Sequence, residues 1–291
     1  MRCAIVTPIV HGLSGLVSGI DILLVDVWGV LHNGLAPHPA AGEALARFRR
    51  GGGFVTLVSN APRESARVVE FLDGLGVTRE AYDAVVTSGD ITRTMLAQGK
   101  HRTLAYFGPD RDRSLFANLP LRETPIADAE IVLCAGLDDD ETETPADYAG
   151  RLAECRARAL PMICANPDLV VERGPRLIWC AGAIAEDYEK IGGAVAWTGK
   201  PHGMIYDAAL DIAALSRRAP ADRGRVMAIG DAIRTDVAGA HRLGVRSLMI
   251  ADGIHARDLL GEDGQVDAAK AELFLGEAAF RPTAIAARLA W

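Results

Sequence analysis

The run Ile22-Leu23-Leu24-Val25, closed by Asp26 and followed three residues later by Gly29, constrains this chain more than any other stretch. Four consecutive apolar residues suit a strand buried on both faces, the kind that lies inside a parallel sheet. Asp26 then stands at the carboxyl end of that strand, the edge at which open α/β sheets place their ligands. Gly29 marks where the backbone must turn. Between the two sits Trp28.

Strand-like and helix-like segments alternate along the rest of the chain. Pro39 opens a helix over 40–50, and Gly51-Gly52-Gly53 stops it. A buried strand over 54–58 closes on Ser59-Asn60, with a helix over 63–75 and Gly76 after it. A strand over 84–87 and a helix over 90–97 follow. The middle of the chain reads as strands over 103–107, 131–135 and 162–165, with a helix over 146–159 between the last two. A final series starts at 194–198 and continues as helix 203–214, strand 226–229, helix 235–243 and strand 245–250. Short, regular crossovers of this kind predict a doubly wound parallel-sheet α/β core, Rossmann-like, with an inserted α/β domain. The expected division is a core of 1–97 and 193–291 and an insert of 98–192.

The 291 residues suffice for two domains, and 49% hydrophobic with 24% charged residues is ordinary globular composition. A net charge of −7 without a basic run argues against a nucleic-acid or anionic-membrane surface. No stretch of about eighteen uninterrupted apolar residues reads as a membrane span. The first twenty residues carry Pro8, His11 and several glycines, which does not fit a signal peptide. A cytoplasmic chain is the expectation. The five cysteines (Cys3, Cys134, Cys155, Cys164, Cys180) are scattered without a C-x-x-C pair, so free and mostly buried thiols are expected rather than zinc or redox chemistry. The acidic run Asp138-Asp139-Asp140-Glu141 lacks the ligand spacing of a calcium loop and reads as a solvated turn.

Four strand ends carry polar groups: Asp26, then Ser59-Asn60, then Lys200, then Asp231 with Asp236 five residues on. Parallel strands present all their carboxyl ends on one edge, where groups distant in sequence converge. One carboxylate able to act as nucleophile, a hydroxyl, an ammonium and two further carboxylates are the set that phosphoryl transfer to an enzyme carboxylate requires, with a divalent ion screening the repulsion.

The segments Asp26-Val27-Trp28-Gly29-Val30-Leu31, Val58-Ser59-Asn60, Thr198-Gly199-Lys200-Pro201 and Gly230-Asp231-Ala232-Ile233-Arg234-Thr235-Asp236 resemble the haloacid dehalogenase superfamily, in its magnesium-dependent phosphatase branch. The insert, with Ala165-Asn166-Pro167-Asp168, is similar to the large α/β cap of the subgroup containing nitrophenyl-phosphatase, sugar-phosphate and pyridoxal-phosphate phosphatases. The resemblance implies that Asp26 attacks phosphorus and that Mg2+ binds Asp26, the Trp28 carbonyl and Asp231, with Asp236 in its outer shell. It implies that Ser59 and Lys200 hold the phosphoryl group beside Asn60, and that Asn166 and Asp168 face a small phosphorylated metabolite. The two cap residues equally suit a plain Asn-Pro-Asp turn.

Trp28 departs from the phosphatase pattern, which has an acid there. Indole donates a hydrogen bond but has no useful acidity, and losing a general acid or base costs about 10²–10⁴-fold in rate. His32 is a candidate replacement, and a good leaving group shrinks the penalty. Trp28 itself suits either a stacking wall or a plug for the missing carboxylate. The competing readings are an impaired phosphometabolite-binding sensor and, with less support, carbon–halogen or carbon–phosphorus cleavage. A homodimer is compatible with the apolar insert strands.

Overall fold

The computed structural model describes residues 7–173 and 176–291, so Cys3 lies outside the described residues. Two compact units emerge, Met1–Ser59 with Glu70–Val86 and Tyr206–Trp291, and Asn60–Val69 with Thr87–Ile205.

Chain order gives β1 (Ile22–Val25), β2 (Phe54–Ser59) and β3 (Ala84–Thr87), and then β4 (Thr103–Phe107) and β5 (Arg122–Glu123). Next come β6 (Ile131–Cys134), β7 (Met162–Cys164), β8 (Val170–Arg173), β9 (Arg176–Trp179) and β10 (Val195–Trp197). The last three are β11 (Val226–Gly230), β12 (Arg246–Ile250) and β13 (Ala284–Ala286).

The first unit is built on a six-stranded sheet of order β13-β12-β11-β1-β2-β3. Its pairs from β13 to β2 are parallel, with Val25 opposite both Ile229 and Leu57. All four residues of β1 and all five of β11 are buried, as strands covered on both faces must be. The expected helix after β1 is Pro39–Arg50, started by Pro39 and ended at Gly51, with Ala41, Leu45 and Phe48 on its buried face. Thus the Rossmann-like α/β core holds.

The second unit carries a five-stranded, all-parallel sheet of order β10-β7-β6-β4-β5 and a separate antiparallel hairpin, β8-β9. The strand near 194–198 was expected to open the last series of core strands. It pairs instead with β7, Val195 opposite Met162, and completes the smaller sheet. Its three residues are only half-buried, which suits the edge position it takes. Cys134, Cys155, Cys164 and Cys180 are free and buried. Burial pushes the Cys134 thiol up to about 12 and the Cys155 thiol up to about 11, so these groups are packing rather than reactive chemistry. Among the described residues no helix is long and apolar enough to cross a membrane.

One ionic clasp ties the amino end of the β1–β11 pair. Asp21, just ahead of β1, accepts from Arg225 Nε at 2.8 Å and Nη2 at 2.6 Å, and Arg217 Nη2 stands 2.9 Å away. The Arg225 hydrogen bonds, opposed by burial and assisted by Arg217, hold the Asp21 carboxyl down to about 2. Unfolded aspartate titrates near 3.8, so this clasp stabilises the fold fully above pH about 4, and its contribution disappears as pH falls toward 2. Asp21→Asn is expected to lower urea stability at pH 7 by about 1 kcal/mol and to flatten the acid limb between pH 4 and 2. Equal acid limbs in both proteins would refute the clasp.

Candidate active site

Asp26 and Asp231 emerge side by side because of register. Asp26 N–H donates to Ile229 at 2.8 Å, extending the β1–β11 ladder by one residue, and Asp231 leaves β11 directly after Gly230. Asp236 returns from a π-helical turn over Ile233–Val237, where it accepts weakly from Ala232 N–H at 3.3 Å and from the Thr235 hydroxyl at 3.4 Å. One carboxylate oxygen from each of Asp26, Asp231 and Asp236 lies within 4.8 Å of the others, and all three residues are buried.

Three glycines make the room for these carboxylates. A Cβ on Gly29 would meet Asp231 Oδ2 at 2.1 Å, and Gly29 also holds a φ of +81° that disfavours any other residue. A Cβ on Gly253 would meet the same oxygen at 2.2 Å, and one on Gly230 would lie 2.0 Å from Asp236 Cγ. Ile254 N–H, next to Gly253, donates to Asp231 Oδ2 at 3.0 Å. The contribution of Gly253 and Ile254 escaped the sequence reading, although a glycine three residues past a buried strand was a usable signal.

Trp28 and His32 form one folded loop. Gly29 N–H donates to the His32 carbonyl at 2.8 Å, and Gly34 N–H donates to His32 Nδ1 at 2.9 Å, which leaves the ring proton on Nε2. His32 is only 1% exposed and packs edge-on against Trp28 at 4.9 Å and Phe71 at 5.3 Å. Burial, with a smaller push from His38, drives it down to about 4. His32, only a candidate replacement for the missing acid on sequence, is a buried neutral ring that organises the loop. The Trp28 indole lies over Gly34, where a Cβ would come within 2.6 Å of it.

The second unit gathers the remaining expected residues, apart from Ser59. Lys200 is buried, and its peptide is held from both sides by one side chain. Its N–H donates to Asn60 Oδ1 at 2.7 Å, while Asn60 Nδ2 donates to the Lys200 carbonyl at 3.2 Å and to Asp168 Oδ1 at 2.8 Å. Asn166 Oδ1 accepts from Asp168 N–H at 3.1 Å, an Asx-type turn. Asn60, Asp168 and Asn166 therefore brace one another around Lys200. Beneath them, Thr198 joins Ser88 at 2.7 Å and Thr92 at 2.8 Å in a buried hydroxyl cluster, which the sequence reading missed. Ser59 ends β2 in the first unit and is buried.

The acidic run is an exposed turn, as expected, and arginines pair with most of its carboxylates. Asp138 accepts from Arg151 at 2.7 Å, Asp140 pairs with Arg111 and Arg173 at 2.5 and 3.0 Å, and Glu141 pairs with Arg173 and Arg176 at 2.8 and 2.6 Å.

Comparison with known proteins agrees with this architecture. Residues 23–122 match the family described as haloacid dehalogenase-like hydrolase, and residues 197–290 match a second, described as HAD-hydrolase-like. A solved haloacid dehalogenase-like family hydrolase from Brucella suis 1330 is 43% identical, with a TM-score of 0.85, over 96% of this chain and 99% of its own. The chain belongs to the haloacid dehalogenase-like hydrolases. A D-glycerol 3-phosphate phosphatase of Mycobacterium tuberculosis (strain ATCC 25618 / H37Rv) is 27% identical over 240 residues, 81% of this chain, and the chain spans 64% of that relative's length. A glycerol phosphate phosphatase from Mycobacterium tuberculosis, solved in complex with calcium, is 24% identical and shares the fold at a TM-score of 0.59, over 80% of this chain and 67% of its own.

The donor set of this hydrolase fits a hard divalent cation. Three buried carboxylates packed into glycine-lined space repel one another, and oxygen donors of this kind suit magnesium or calcium rather than soft metals. Asp236→Asn is expected to raise the melting temperature in chelator by about 2–4 °C by removing one like charge. The same change should shrink the further rise produced by magnesium chloride. A melting point that falls in chelator would contradict the like-charge account.

Proposed function

We propose that this protein is a magnesium-dependent phosphatase of a small phosphorylated metabolite, working through an aspartyl phosphate on Asp26. The observation that carries the reading is the buried cluster of Asp26, Asp231 and Asp236 at the carboxyl ends of adjacent parallel strands. Asp231, the Asp26 carboxylate and the Trp28 backbone carbonyl would hold the cation, with Asp236 supporting them. When bound, the cation neutralises charge between the phosphate and the carboxylates.

The chain's own groups then perform two displacements. An Asp26 oxygen forms a bond to phosphorus while the bond to the leaving oxygen breaks, and that oxygen departs with its electron pair. Water next adds to phosphorus, the bond to the Asp26 oxygen breaks, and the carboxylate is restored as inorganic phosphate leaves. The Ser59 hydroxyl and Lys200 ammonium bind phosphoryl oxygens in both steps. Asn60 acts as a positioning residue, since its amide fixes both faces of the Lys200 peptide. Asn166 and Asp168 shape the substrate side of that network, and the insert (98–192 in the sequence reading) serves as the selecting cap.

The test is release of phosphate from p-nitrophenyl phosphate by the full chain with magnesium. Release is expected to vanish in chelator and to fall by about 10³-fold or more in Asp26→Asn. Tight binding of phosphorylated metabolites without turnover by the wild-type chain would replace the enzyme with the sensor suggested by Trp28.

A further inference from the structure

The loop that carries Trp28 has consequences for which phosphates this site turns over. The histidine, cysteine and acidic side chains grouped with Asp26 among the described residues are Asp231 and Asp236. Both accept hydrogen bonds from backbone N–H groups, Ile254 to Asp231 and Ala232 to Asp236. His32 spends Nδ1 on Gly34 N–H, and its ring is packed against Trp28 and Phe71. Among the described residues of this unit, then, the two carboxylates beside the nucleophile accept hydrogen bonds, and the position two residues past Asp26 holds an indole, which has no useful acidity.

The same loop and helix Ser65–Leu75 present apolar side chains. Trp28 is half-buried, Phe71 is 40% exposed and Leu35 is 69% exposed. His32 packs edge-on against both rings, so Trp28 and Phe71 belong to one aromatic cluster with a rigid base. Planar groups find good packing on such a surface, at about 0.5–1.5 kcal/mol per aromatic pair beyond area burial.

Resting on the phosphatase reading above, we propose that the substrates of this enzyme are aromatic phosphates whose leaving oxygen is weakly basic. Such an oxygen departs as its anion when the phosphorus–oxygen bond breaks, and takes its proton from water afterwards. No enzyme acid is needed at the moment of cleavage. An alkyl phosphate, whose alkoxide is strongly basic, loses the about 10²–10⁴-fold that a positioned acid supplies.

The experiment measures kcat/KM for substituted phenyl phosphates whose phenols span pKa values from about 5 to about 10, the upper end being that of tyrosine, together with glycerol phosphate. This parameter reports steps up to transfer onto Asp26, so slow hydrolysis of the aspartyl phosphate does not mask the trend. A steep fall with rising leaving-group pKa is expected, with glycerol phosphate at least about 10²-fold below p-nitrophenyl phosphate. Trp28→Asp should raise the glycerol phosphate rate relative to the nitrophenyl rate by about 10-fold or more. Trp28→Phe, which keeps the apolar surface without adding an acid, should keep the wild-type slope. A flat series in the wild-type enzyme, still dependent on Asp26, would overturn this proposal and leave the phosphatase reading standing. Loss of all phosphate release, even from the best leaving group, would remove the phosphatase reading and this proposal with it.

Discussion

Repulsion among Asp26, Asp231 and Asp236 organises the first unit. Charges separated by 4.8 Å or less repel by on the order of 3 kcal/mol per pair at an effective dielectric constant of about 20. The fold meets this with rigidity rather than distance. Ladder register sets Asp26 beside the exit of β11, the π-helical turn brings Asp236 back, and three glycines leave no slack around the carboxylates. A cation bound there would relieve this repulsion, so cation affinity and local stability would be two aspects of the same geometry.

The second unit uses the opposite strategy, pairing its charges among themselves. Arg63 binds the buried Asp112 at 2.7 Å, Arg111 lies 3.8 Å from Asp112 and also binds Asp140, and Arg173 continues to Glu141. Burial raises the Asp112 carboxyl despite the pull of Arg63, so the carboxylate depends on that guanidinium for its charge. This network runs from the loop after Asn60 to the β8–β9 hairpin and fixes segments that share no strand pairing. Near Lys200 the same economy appears in neutral form, with one amide satisfying both polar groups of a buried peptide.

Continuous apolar runs made the central strands legible, since β1, β2 and β11 are buried on both faces and need no period to announce them. The carboxylate cluster was legible for the same reason, as strand ends in a parallel sheet share an edge. The β8–β9 hairpin was not, because Val170–Arg173 and Arg176–Trp179 are short and interrupted by charged residues, and the hairpin is held partly by arginine pairs. Helix Ala181–Lys190 begins at Cys180, which caps nothing with its side chain, so no start signal precedes it. Helix Ala268–Glu277 did have a signal, Asp267 accepting from Ala269 and Lys270 N–H, and β13 completes the sheet by pairing with β12. The role of His32 was hidden because its partners, Gly34 N–H and Phe71, are set by loop closure and by packing from a distant helix.

Trp28 shows how a single residue redistributes the electrostatics of such a site. A carboxylate there would add a fourth negative charge to a buried cluster that must also admit a phosphate dianion. Indole removes that repulsion and fills the loop, closing over Gly34 and bracing His32. On the proposed phosphatase mechanism, the change would favour binding of the phosphate and withdraw help from the proton transfers on either side of it. Its effect on turnover therefore depends on how basic the departing oxygen is, a property of the substrate rather than of the fold.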